Sequence, residues 1–394
     1  MLKLNDNFLR LSDSYLFTEI NRRTADFQRQ NPDKKVIRMG VGDVSLPLTP
    51  TVINALHSAT QEQADAATFQ GYGPEVGYKF LKQAIADNYY ALRNIHFDLD
   101  EILINDGIAS DIANFPEMFS DDAKVLITDP VYPAYLDSNT MAGKEITMLS
   151  TTLYPTVSEQ INHLKTTGYQ PDIIYLCYPN NPTGLALTFA ELGQWVEYAN
   201  KEHAIILFDA AYEAFIQDED VPHSIFEIEG AKQCAVEFCS FSKSAGFTGL
   251  RCGFTVVPKQ IADGKLLHNW IRRVCTKYNG APYIVQRAAE AALSKQGRAE
   301  AIENIKYYLQ NAIILREGLA EIGLTVKPRQ NSPYLWVNVG MPSWDFFDML
   351  LSKYAIVCTP GVGFGKAGEG FVRFSAFANR QLTQEAVERL KNNK

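Results

Sequence analysis

Between residues 101 and 257 short apolar runs alternate with amphipathic stretches along the chain. The runs are Glu101–Asn105, Lys124–Thr128, Asp172–Tyr178, Ala204–Phe208, Cys234–Phe241 and Gly253–Val257. This alternation predicts an α/β domain with a largely parallel sheet covered by helices on both faces. The segment Phe189–His203 predicts one of the crossover helices: Thr188 and Glu191 have capping-box spacing, and Leu192, Trp195, Val196 and Ala199 share a face.

The pattern changes in the last hundred residues. A long helical stretch over Glu300–Ile322 is followed by a strand at Tyr334–Val339, a helix near Ser343–Tyr354 and a strand at Gly370–Phe374. That mixture is α+β and predicts a second, smaller domain. A length of 394 residues agrees with a large domain plus a companion. We expect the large domain over 50–285 and the small one from 1–49 together with 286–394. No repeat or long linker interrupts the chain, so one extended interface is expected between the two.

Composition narrows the classes of function. Hydrophobic residues make up 46% and charged residues 21%, the balance of an ordinary globular protein. No segment approaches the roughly 18 consecutive apolar residues of a membrane span. The start, Met1–Asp6, lacks the basic and apolar regions of an export signal, so a cytoplasmic location is the expectation. Six cysteines lie scattered without metal-ligand spacing and read as reduced core thiols, with no metal site expected. The net charge of -8 and the dispersed cations work against nucleic acid as a partner. A small anion remains open, since one local arginine or helix N-terminus decides that.

Four short motifs follow one another within the expected sheet: Asn180-Asn181-Pro182-Thr183-Gly184, Asp209-Ala210-Ala211-Tyr212, Ser240-Phe241-Ser242-Lys243 and Gly249-Leu250-Arg251-Cys252-Gly253. Each is expected just past a strand, at the edge where open α/β sheets bind ligands. Ser240, Ser242 and Lys243, with Gly246 and Gly249, form a small-residue turn able to wrap an anion, and Arg251 supplies a bidentate partner for a phosphate. Asp209 ends a buried apolar run, where a carboxylate is rare unless paired. It reads either as a helix cap or structural ion pair, or as the partner of a protonated cofactor ring nitrogen. Asn180-Asn181-Pro182 reads equally as a tight turn, and Tyr212 as packing or as a phenol reaching a ring oxygen.

Together these motifs resemble fold-type I pyridoxal-phosphate enzymes of the aspartate aminotransferase superfamily, over essentially the whole chain. Within it, Asn7–Phe17, Gly71-Tyr72-Gly73-Pro74-Glu75, Asp129-Pro130-Val131-Tyr132-Pro133-Ala134-Tyr135, Ser240–Lys243, Tyr278-Asn279-Gly280-Ala281 and Pro333-Tyr334-Leu335-Trp336-Val337 resemble the LL-diaminopimelate aminotransferase family. The resemblance implies pyridoxal 5'-phosphate as cofactor, 2-oxoglutarate and glutamate as the second substrate pair, and a homodimer with active sites at the subunit interface.

Carried over by position, the resemblance makes Lys243 the lysine bonded to the cofactor, Asp209 the partner of the ring nitrogen and Tyr212 the donor to the ring hydroxyl, beside Asn181. It gives the phosphate to Ser240, Ser242, Arg251, Tyr72 of the neighbouring subunit and the backbone amides of Ile108 and Ala109. Tyr132 would stack on the ring, and Asn279 would contact the cofactor. Arg373 would clamp the substrate α-carboxylate; an arginine in the apolar strand expected at Gly370–Phe374 is in any case hard to explain without an anion. Tyr15, Gly42, Glu75, Tyr132, Asn181 and Asn279 match substrate-contacting positions.

One departure bears on specificity. The family has Gly-Ala-Lys where this chain reads Gly107-Ile108-Ala109-Ser110. Backbone contacts survive that change, but losing a cation there weakens recognition of a distal carboxylate by about 1–3 kcal/mol. Another amino donor, or β-elimination on the same scaffold, is the alternative, because these reactions share the carbanion that the cofactor stabilises.

Overall fold

The computed structural model describes residues 2–11, 15–278, 280–326 and 331–392. In chain order its first strands are β1 (Ile37–Arg38), β2 (Ile102–Asn105), β3 (Lys124–Asp129), β4 (Glu145–Ser150) and β5 (Ile173–Cys177). Then come β6 (Ile205–Asp209), β7 (Ala235–Ser240), β8 (Gly253–Val256) and β9 (Thr325–Val326). The last are β10 (Tyr334–Asn338), β11 (Ile356–Val357), β12 (Thr359–Pro360) and β13 (Phe371–Ser375). The helices begin with α1 (Leu16–Gln30), α2 (Pro50–Glu62), α3 (Lys79–Ile85), α4 (Ile108–Asn114), α5 (Ala134–Met141) and α6 (Val157–Thr167). They continue with α7 (Phe189–Glu202), α8 (Phe241–Ser244), α9 (Lys265–Lys277) and α10 (Tyr283–Leu293), and end with α11 (Lys295–Glu321), α12 (Ser343–Tyr354) and α13 (Arg380–Lys391).

A seven-stranded sheet of order β2-β8-β7-β6-β5-β3-β4 forms the body. All its neighbours pair in parallel except β8, which is antiparallel to both β2 and β7. The fold is therefore α/β of fold type I, as expected. The apolar runs become strands because each feeds both faces. In β5 and β6, Ile174, Leu176, Ile206 and Phe208 enter one core. Ile173, Tyr175, Cys177 and Leu207 enter the other. A continuous apolar run is what burial on two faces requires.

Two elements differ from the sequence expectation. Strand β4 was not expected: it forms the sheet edge and is largely half-buried, so Glu145–Ser150 mixes polar with apolar residues and gives a weak signal. The long helix begins at Lys295 rather than Glu300, because the Ser294 side chain caps it by accepting from the Gly297 amide. A third core, built around the four-stranded sheet β12-β13-β10-β9, draws on Leu16, Ile20, Ile37 and Met39 and on residues from Ala312 to Leu390. Helix α10 belongs to the large-sheet body, where Val285, Ala288, Ala289, Ala292 and Leu293 join the first core. All six cysteines are free thiols, and Cys275 alone is exposed. Among the described residues no helix is long and apolar enough to cross a membrane.

The segment that leads into the site is fastened by a buried carboxylate. Glu237, in β7, is fully buried and accepts from the Tyr90 hydroxyl (2.6 Å), the Ser224 hydroxyl (2.8 Å) and the Ile225 amide (2.9 Å). Burial pushes its carboxyl up to about 7, against the pull of these three donors. The folded-state pKa is raised, so this group's contribution to stability is full below the ordinary carboxylate range and is lost as pH rises through about 7. Glu237→Leu strands three donors and should cost about 3 kcal/mol. Urea unfolding at a series of pH values should show that loss, together with disappearance of the wild-type decline through neutral pH.

Candidate active site

Parallel strands deliver their carboxyl ends to one edge of the sheet, and the candidate residues gather there. Asp209 ends β6 opposite Cys177 in β5 and has the same parity as Leu207, so its carboxylate faces the side covered by α5. Lys243 lies in α8, directly after β7, where Ser240 caps the turn by accepting from the Ser242 amide. Arg251 departs from expectation: it precedes β8 instead of following a strand. Because β8 runs in reverse, its beginning lies at the edge where its neighbours end, and Arg251 arrives at the same place.

One cavity of about 370 Å³ is lined by Gly42, Ile108, Ala109, Tyr132, Asn181, Asp209, Tyr212, Ser240, Ser242, Lys243, Arg251 and Arg373. Three expected residues lie elsewhere. Tyr72 is 96% exposed and Glu75 is exposed on the same loop, so neither lines this chain's own cavity. Tyr15 sits at the start of α1 beside Tyr132; burial and that neighbour push its hydroxyl pKa up. Asn279 lies outside the described residues.

The electrostatics separate the two ends of the cavity. Asp209 is buried and accepts from the Ala211 amide at 2.9 Å and from the Tyr135 hydroxyl. Burial pushes its carboxyl up to about 6, opposed by these two donors. No cation pairs with it among the described residues. Lys243 donates to the Gly42 carbonyl, and burial pulls its amine down to about 8, aided by Arg373 and Arg251 and opposed by Asp43.

Arg373 is 1% exposed and has no carboxylate partner among the described residues. Its guanidinium donates to Asn181 Oδ1 (2.6 Å) and to the Gly40 carbonyl (2.7 Å), packs 4.2 Å above the Tyr334 ring, and leaves Nε without a partner. A buried cation in this state lacks an anion. At the other end Arg251 Nη1 reaches Ser242 Oγ at 3.4 Å, and Gly107, with φ +107°, lets the guanidinium pass: a Cβ there would lie 2.2 Å from Nη2. Helix α4 begins at the next residue, presenting its first amides, those of Ile108 and Ala109.

These groups fit a phosphorylated heterocycle with a basic ring nitrogen and an aldehyde. The unpaired buried carboxylate of Asp209 suits the nitrogen. Lys243, with its amine pulled down to about 8 and so in part neutral near neutral pH, suits the aldehyde. Arg251 with the seryl hydroxyls and α4 amides suits the phosphate, and Arg373 remains for a substrate carboxylate.

Several lining residues carried no role in the sequence reading. Tyr135 is one, buried and stacked on Tyr175 at 5.0 Å. Tyr334 is another, its hydroxyl 2.9 Å from that of Tyr212. Register could have found Tyr334: Trp336 lies opposite Arg373, so Tyr334, two residues along the strand, shares its face. Phe17 and Asp43 carried no readable signal. Tyr135→Phe keeps the ring but removes a donor to the charged form of Asp209. Cofactor binding, followed against pH, should then fail about one to two units higher than in the parent.

The class I and II aminotransferase family model matches residues 34–390. The LL-diaminopimelate aminotransferase of Agathobacter rectalis is 50% identical over 99% of this chain and 100% of its own length. That of Bacteroides thetaiotaomicron is 48% identical over the full length of both. Among solved structures, L,L-diaminopimelate aminotransferase from Chlamydomonas reinhardtii superposes with a TM-score of 0.92 at 40% identity, covering 99% of this chain and 98% of that one.

Proposed function

The chain belongs to the class I and II aminotransferase family, and from that premise we propose that it moves the amino group of LL-diaminopimelate to 2-oxoglutarate. It is a pyridoxal-phosphate-dependent aminotransferase. The choice of substrate is supported by full-length relatives of that name at about half identity. The residue roles are supported by one observation above all: a half-buried lysine and a buried, acid-free arginine line the same cavity as an unpaired carboxylate.

When bound, the cofactor supplies an electron sink for the pair left at the substrate α-carbon. The chain's own residues do the rest. Arg373 holds the α-carboxylate and fixes the scissile C–H bond relative to Lys243. Lys243 Nζ would hold the cofactor's aldehyde and, when free, would accept and give back the proton at the substrate α-carbon as general base and acid. Asp209 keeps the ring nitrogen protonated, Tyr135 holds Asp209 ionised, and Tyr212 with Asn181 donates to the ring oxygen. Ser240, Ser242, Arg251 and the α4 amides would hold the phosphate, and Tyr132 would lie against the ring. The second keto acid then runs the same proton movements in reverse.

A homodimer is part of this reading. Tyr72 and Glu75, exposed on a loop of one subunit, would reach the partner's cavity. Tyr15 and Gly42 would line the substrate path from segment 1–49, set against a large domain that runs from residue 50 to the end of α10 at Leu293, beyond the boundary at 285 expected from the sequence. We place the reaction in the cytoplasm.

A panel of amino donors with 2-oxoglutarate tests the assignment. LL-diaminopimelate should turn over best; failure to use it beside good use of another amino acid overturns the substrate and leaves the reaction. Ala109 sits in the first turn of α4 beside Ile112 and Ala113, which leaves that wall apolar. Ala109→Lys places a cation there and should raise kcat/KM for LL-diaminopimelate roughly tenfold or more, with little change for donors that lack a distal carboxylate.

A further inference from the structure

A second cavity, of about 260 Å³, lies on the opposite face of the sheet from Asp209 and is separated from the first by a single layer of chain. The wall is shared residue by residue. From the end of β6 onward, Asp209, Ala211 and Tyr212 face the active site, while Ala210, Glu213 and Ala214 face the second cavity. After β7, Ser242 and Lys243 face the first, Phe241, Ser244 and Ala245 the second, and Ser240 lines both.

The space opens to solvent at one end and has room for a small ligand beside the turn that carries Lys243. Its body is apolar, with Phe241, Phe254, Leu293 and Ile305 among the lining side chains. Its mouth is rimmed by Leu92 and Ile302, 62% and 48% exposed. Two guanidiniums stand in the wall, and they differ. Arg93 is already committed, 3.4 Å from Glu213, which also receives His223 Nδ1 at 3.0 Å. Arg298 is half-buried, makes one hydrogen bond, to the Asn88 carbonyl at 2.7 Å, and has no ion pair among the described residues.

We propose that this cavity is a second ligand site, taking a small monocarboxylate whose apolar body fills the space and whose carboxylate pairs with Arg298. Glu213 is neutralised by Arg93, so the anion meets one unanswered cation and no opposing charge. An occupant would press on Phe241 and Ser244, the residues that flank Ser242 and Lys243.

The test is isothermal titration of the holoenzyme with 3-phenylpropionate. Arg373→Gln separates this site from the substrate position, and Ala301→Trp fills the cavity. The expected result is saturable binding that survives Arg373→Gln, weakens roughly tenfold or more in Arg298→Gln, and disappears in Ala301→Trp. Absence of saturable binding to the folded parent overturns the proposal, as does binding lost in Arg373→Gln and kept in Arg298→Gln. Arg298→Gln changes one partly exposed side chain and decides the matter even if the tryptophan variant fails to fold.

Discussion

Lys243→Ala should leave a folded protein that binds pyridoxal phosphate without a covalent bond and turns over about 10⁴-fold or more slowly than the parent. The loss combines two functions of one amine. It holds the aldehyde, and once released it moves the proton at the substrate α-carbon, a task that by itself contributes about 10²–10⁴-fold. Single-turnover measurement with the cofactor already in place separates the proton transfer from failure to load. The same amine gives the unmodified enzyme a pH signature. Only a neutral amine attacks an aldehyde, and burial pulls Lys243 down to about 8. At pH 7.5 roughly a quarter of such amines are neutral, against about one in a thousand for a lysine near 10.5. Capture of pyridoxal phosphate by cofactor-free protein should therefore accelerate with pH and level off above about 8. A plateau reached only beyond pH 10 would show that the amine is not desolvated in the way its burial implies.

Asp209→Asn should lower kcat by roughly 10²–10³-fold while leaving the phosphate contacts intact, because a preorganised charge facing the point where electrons accumulate is worth about that much. The amide still fills the space and still meets Tyr135, but it cannot hold a cationic ring nitrogen. Steady-state kinetics should show a larger fall in kcat than rise in KM. The sign of the pH effect follows from the raised pKa. In the cofactor-free chain the carboxyl is charged above about 6 and neutral below it, so affinity for the cofactor should fall as pH drops through that value. The asparagine variant should bind weakly at every pH and lack that fall. Retention of the parent's pH dependence would remove Asp209 from its role.

Much of this site could be read from the sequence because its members are fixed by chain position relative to strands. Asp209, Ser240, Ser242 and Lys243 each stand within a few residues of a strand end, and a strand end in a parallel sheet has one spatial address. Arg373 stood out for a different reason, as a charge in an apolar run. What escaped was set by pairing rather than by position. Tyr135 meets Asp209 only because a helix returns across that face, and Tyr334 meets Arg373 only through the register of β10 on β13. Edge strand β4 escaped because one-sided burial leaves little apolar signal. The direction of β8 was equally hidden, since a strand's residues say nothing of which way it runs.

That reversed strand has a consequence for how the molecule comes together. In sequence β8 is the last strand of the large sheet, yet in space it lies inside, between β2 and β7, with Ile102 paired to Val256. Until it inserts, β2 has no neighbour, β7 is an open edge prone to pairing with foreign chains, and Arg251 has no fixed place. Joining segments so distant along the chain is the slow kind of contact to form. The phosphate cradle, which needs Gly107, Ser242 and Arg251 together, is therefore completed only when the sheet is, so uptake of the cofactor reports that assembly has finished.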